Sequence, residues 1–172
     1  MDLDIFEDDD LLLLSDGDEI PCPEVIEHAS EWISDDTHFT FQQSAYHGYL
    51  NNLYTDTWFG SRAATYKFMK GTTVDDIREG TEDESKITGS IITNAGWHFT
   101  YCGDAEHVKQ KINSFCDTQF NVPQVLDNVS DNLKNGKDVL SRGNMSYRTV
   151  EIDDSFPQYI IDNKEKYAHL IK

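Results

Sequence analysis

Four consecutive leucines, Leu11–Leu14, stand between an acidic run and the polar segment Ser15-Asp16-Gly17-Asp18-Glu19. A short apolar run bounded by polar residues predicts a buried strand. Pro23 suits a helix first turn, and Val25, Ile26, Ala29, Trp32 and Ile33 follow at helical spacing. After an Asp35-Asp36 turn, Phe39 and Phe41 alternate with Thr40 and Gln42, which predicts a strand. Tyr46, Tyr49, Leu50 and Tyr54 extend an aromatic-rich stretch, and residues 58–68 form a further predicted strand. Thr73 predicts the cap of a short helix ending at Gly80, and Glu82, Asp83 and Glu84 a charged loop. Strands are expected over 87–93, 97–101 and 147–152.

Asp104 reads as the cap of a helix with Val108, Ile112 and Phe115 on one face. Pro123 opens another helix, with Val125, Leu126, Val129 and Leu133 inward and Gly136 past its end. Ser155 and Pro157 begin a last helix with Tyr159, Ile160 and Ile161. Strands and helices are mixed, so the class is α/β or α+β. Residues 1–10 form an acidic lead-in, and 11–172 are expected to make a single domain.

Composition narrows the chemistry. Of 172 residues, 38% are hydrophobic and 12% aromatic, enough for a core. Fourteen Lys and Arg against 32 Asp and Glu give a net charge of −18. That balance excludes a phosphate-backbone partner and disfavours anionic membrane surfaces. It also makes a bound cation more necessary if the substrate is anionic. Cys22, Cys102 and Cys116 form no CxxC and predict no zinc site. No leader or stretch of ~20 apolar residues is seen, so a soluble, cytoplasmic chain is expected.

The leucine run delivers Asp16, Asp18 and Glu19 to a strand's carboxyl end, where open α/β sheets bind ligands. Hard oxygen donors suit Mg²⁺ or Mn²⁺, held by carboxylates together with a substrate's phosphates. Asp-x-Asp also occurs at Asp2/Asp4 and Asp8/Asp10, but only the third pair follows an apolar run and precedes Ile20-Pro21. Otherwise it is a solvated acidic turn. His98, between Trp97 and Phe99, is either a further metal ligand or a core histidine.

Five segments in order, Asp16-Gly17-Asp18-Glu19-Ile20-Pro21, residues 58–66, Gly96-Trp97-His98-Phe99-Thr100-Tyr101, Asn135-Gly136-Lys137-Asp138 and residues 152–160, resemble glycosyltransferase family 17. That family includes β-1,4-mannosyl-glycoprotein 4-β-N-acetylglucosaminyltransferases, among them Golgi membrane enzymes of protein N-linked glycosylation. The resemblance implies a GT-A-like fold, here lacking much of its N-terminal nucleotide-binding half, so the chain is expected to be a fragment, one half of a split gene, or a shortened member that pairs with another chain. It implies a UDP-sugar donor, a glycan acceptor, inversion and a divalent metal on Asp16 and Asp18, with Glu19 beside them; His98 stands as a candidate third ligand on its own aromatic context. Glu106, which matches an acidic position of the family, is then the first choice of catalytic base and Asp104 the second; Asp153 and Asp154 are weaker choices. First-turn acids also serve as caps. Arg62 either contacts the diphosphate or is a surface arginine. Trp58 and Trp97 either stack on sugar or are core. The alternatives are a non-catalytic glycan-binding or accessory fragment and a metal-dependent phosphohydrolase.

Overall fold

A computed structural model describes residues 5–78 and 89–172. The chain is a mixed α/β protein. Its elements begin β1 (Leu11–Leu14), β2 (Glu19–Pro21), α1 (Pro23–Glu27), α2 (Ala29–Trp32), β3 (Phe39–His47), β4 (Asn52–Tyr54) and β5 (Trp58–Thr65). There follow α3 (Tyr66–Lys70), α4 (Val74–Arg78), β6 (Ser90–Ile92), β7 (Gly96–Thr100) and α5 (Ala105–Ser114). The chain ends with α6 (Pro123–Leu126), α7 (Val129–Asn135), β8 (Tyr147–Thr149) and α8 (Gln158–Asp162). Contacts divide it into two compact units: one holds the residues up to Ser44 and Thr57–His98, the other Ala45–Asp56 and Phe99–Lys172.

In the first unit β1 runs antiparallel to β5, from Leu11↔Thr65 to Leu14↔Arg62. β5 runs antiparallel to β3, with an irregularity between Thr40 and Gln42, and β6 pairs parallel with β3. β2 pairs antiparallel with β7, Glu19 opposite His98. Leu11 packs against a cluster of Phe39, Phe41, Ala63 and Ala95. Leu12 and Leu14 pack against Ala64, Met69 and Ile77. Successive residues of a strand face opposite sides, so apolar cover on both faces accounts for a continuous leucine run. The strand is nevertheless not the buried one the run predicts: Leu11, Leu12 and Leu14 are half-buried and Leu13 is 40% exposed, because among the described residues β1 is paired on one side only.

In the second unit β4 pairs antiparallel with the end of β3 and with β8. Val108 and Ile112 of α5, Val125 of α6 and Val129 and Leu133 of α7 form its core with Val139 and Leu140. Gly136 ends α7 in the left-handed region, φ 65°.

Several boundaries differ from the sequence pattern. The strand expected over 58–68 stops at Thr65, whose Oγ1 accepts the Phe68 N–H at 3.2 Å and caps α3. Apolar residues run through that junction, so hydrophobicity alone does not mark the change of geometry. The helix expected from Pro23 is broken at His28 into α1 and α2. The strand expected over 147–152 ends at Thr149, and the last helix begins at Gln158. The helix end at Gly80, the charged loop at 82–84 and the start of the strand over 87–93 lie outside the described residues.

Candidate functional site

The acids after β1 separate into two partnerships. Glu19 opens β2, and its side chain is wholly buried. A buried carboxylate is stable only with charge and hydrogen bonds to meet it. Arg78, at the end of α4, supplies both. Its Nη2 donates to Glu19 Oε1 at 3.2 Å and to Asp16 Oδ2 at 2.7 Å. One guanidinium thus joins a buried and an exposed carboxylate. The Asp16 N–H donates to Glu19 Oε2 at 3.1 Å, which closes the turn.

A polar network supports Glu19 from β5 and β3. Ser61 Oγ donates to Glu19 Oε2 at 3.2 Å. It accepts from Ser15 Oγ at 2.7 Å and from Gln43 Nε2 at 3.1 Å. Gly60 makes room for this packing, because a Cβ there would collide with the Gln43 amide oxygen. Gly17, by contrast, would carry a Cβ with nothing within 4 Å.

Asp18 belongs to the second partnership. Its Oδ1 lies 3.3 Å from His98 Nε2. The β2–β7 pairing brings the two together, since it sets Glu19 directly opposite His98. Gly96 permits that pairing: its φ is 140°, and a Cβ would collide with the Ile20 carbonyl. Trp58 stacks on the His98 ring with centroids 4.4 Å apart and an interplanar angle of 22°. Among the described residues, His98 Nδ1 and Trp58 Nε1 are buried without a hydrogen-bond partner. An unmet lone pair costs less than an unmet N–H. With the proton on Nε2, the ring N–H faces the Asp18 carboxylate across 3.3 Å.

Arg62 is not a surface arginine. It is fully buried. Its Nε donates to the Ile77 carbonyl at 2.9 Å, and its Nη1 to the carbonyls of Phe59 (3.0 Å) and Gly60. Burial, and then the neighbouring Arg78 charge, push its pKa down to about 10, so it remains charged at neutral pH. By gripping Ile77 it fixes the last turn of α4 and so places Arg78.

The expected catalytic bases lie in the second unit. Asp104 caps α5, accepting the His107 N–H at 2.9 Å, and pairs with His107 Nδ1 at 3.0 Å. These bonds hold its pKa below the usual carboxylate value and make it a weaker base. Glu106 is solvent-exposed on the first turn of α5 and pairs with Lys109 at 3.3 Å. Asp153 is occupied by Ser155, which donates through N–H (3.0 Å) and Oγ (2.6 Å).

A second buried polar cluster was not evident from the sequence. His47 Nε2 accepts the Val139 N–H at 3.1 Å and lies 3.4 Å from Asp138 Oδ1. Asp138 in turn accepts from Arg142 N (2.6 Å), Nε (3.0 Å) and Nη2 (3.1 Å). Burial, and then the Asp138 charge, push the Tyr147 phenol well above its ordinary value.

As to a metal, Asp16 and Asp18 are the hard oxygen donors a small divalent cation takes, usually with substrate phosphates and water completing the shell. Asp16 must leave Arg78 to serve. A metal-bound histidine nearly always donates its other ring N–H to an acceptor. His98 Nδ1 has none among the described residues, so it fits better as the donor to Asp18 than as a ligand. Among those residues no group of three or more His, Cys, Asp or Glu is arranged to hold an ion. No described helix is long and apolar enough to cross a membrane.

Comparison with protein-family models, curated proteins and solved structures yields no match.

Proposed function

We propose that this chain carries the acidic site of a metal-dependent glycosyltransferase. The reaction is transfer of N-acetylglucosamine or a similar sugar from a UDP-sugar to a glycan acceptor, with inversion. The reading is β-1,4-mannosyl-glycoprotein 4-β-N-acetylglucosaminyltransferase-like, on a GT-A-like fold. It rests on the ordered motifs and on one observation: the Asp18 carboxylate at the end of the leucine strand, held by His98 at 3.3 Å.

When bound, Mn²⁺ or Mg²⁺ supplies positive charge for the departing nucleoside diphosphate. Asp18 and Asp16 hold it, and His98 keeps Asp18 in one orientation. Arg78 pairs with Asp16 at 2.7 Å. Of the two candidate bases, Glu106 makes no cap bond of the kind that occupies Asp104.

Calorimetry of UDP-N-acetylglucosamine binding with and without Mn²⁺ tests the reading. Mn²⁺ raises the affinity, and Asp18→Ala removes the increase. Equal affinity with and without metal contradicts it.

The second reading is a non-catalytic glycan-binding module. The Arg78 bridge favours it, because one guanidinium already engages two of the three acids. Binding to a glycan array with no dependence on nucleotide or metal distinguishes the two.

A further inference from the structure

Among the described residues β1 is paired on one side only, along β5. In an antiparallel ladder alternate residues turn their N–H and C=O groups to the partner, and the residues between turn theirs outward. No turn, cap or loop hydrogen bond among the described residues reaches Leu11–Leu14. Leu13 is 40% exposed. Natural edges are usually guarded by a charge, a proline or a bulge. β1 carries no charge, proline or bulge, and its shortness, four leucines in continuous register, is its one guard.

The flanks carry charge instead. Glu7, Asp8, Asp9 and Asp10 precede the strand and are all exposed. Asp8 pairs with Lys70, and Asp16 after the strand pairs with Arg78, so Glu7, Asp9 and Asp10 are the acids here without an ion pair among the described residues. A second copy of the chain would bring the same acidic run and a net charge of −18 to this edge. Self-pairing is therefore opposed, and a segment of opposite charge is attracted.

We infer that the outer edge of β1 docks an extended segment of another polypeptide, with lysine or arginine among its apolar residues, as an added strand. Main-chain hydrogen bonds and contact with the leucines supply affinity, and the acids supply selectivity. The inference is independent of the sugar-transfer reading.

Fluorescence anisotropy with a labelled synthetic peptide of alternating lysine and valine tests it on the whole chain. The peptide binds, and binding weakens by about tenfold when alternate peptide amides are N-methylated, which removes one row of ladder donors but keeps the charge. Replacing its lysines by glutamate abolishes binding. Leu13→Lys, at a half-exposed position, weakens binding by a similar factor, as does Asp9→Asn with Asp10→Asn, which leaves the strand intact. Equal binding of the N-methylated peptide overturns the inference, because charge alone then accounts for it. So does equal binding of the glutamate peptide, or a dimer in sedimentation that Leu13→Lys dissolves. If Leu13→Lys fails to fold, the peptide comparisons still decide.

Discussion

Arg78 is the side chain on which the acids of the first unit depend. Glu19 has no exposure, and removing one partner of a buried ion pair leaves an uncompensated charge. Arg78→Gln is expected to destabilise the protein by about 3 kcal/mol in urea unfolding. Glu19→Gln should cost less, because Arg78 keeps Asp16 and some access to water. None of this was legible in the sequence. Arg78 lies 59 positions from Glu19, and only the scarcity of cations in so acidic a chain hinted that each must be engaged. Arg62 was misread for the same reason, since its partners are carbonyls, which carry no sequence signature. A second test at this scale concerns Asp138. Burial raises its pKa, but the Arg142 hydrogen bonds and charge outweigh burial and hold it below the ordinary value. In the unfolded chain it titrates near ~3.9. Between the two values the unfolded chain binds more protons. Stability therefore rises with pH in that window and is lost as pH falls through the folded value. Urea midpoints measured from about pH 5 to pH 2 should show a shallower acid-side loss for Asp138→Asn than for the native chain.

At the scale of elements, strong local patterns were readable and pairings were not. The leucine strand, the Asp104-capped helix and the left-handed Gly136 after α7 all follow from spacing and capping. The boundary at Thr65 does not, because its residue types serve a strand end and a helix start equally. Thr65→Ala is expected to cost about 1 kcal/mol in chemical unfolding through loss of the α3 cap. Ile112 of α5 is fully buried, and Ile112→Ala should cost about 3 kcal/mol by the same measurement. The register that matters most, Glu19 opposite His98, joins segments about eighty residues apart, and no periodicity encodes it. The two segments drew attention separately, by their odd composition, and the sheet is what brings Asp18 and His98 into contact.

For the whole molecule, the acidic composition sets the terms. With a net charge of −18, an anionic ligand is repelled at long range unless a cation or a guanidinium offsets the local field. In the first unit Arg78 already does this for Asp16 and Glu19, so a divalent cation has to compete with it for Asp16. Mn²⁺ titrated at low stoichiometry while the ring ¹H–¹⁵N correlations of the six histidines are followed shows where a cation settles. His28 and His107 serve as internal controls, because each pairs with an exposed carboxylate three residues away. If the acids after the leucine strand hold the metal, His98 broadens first and Asp18→Asn abolishes its broadening. If His28 or His107 broadens before His98, the cation is bound elsewhere and the metal-dependent reading of this site is wrong.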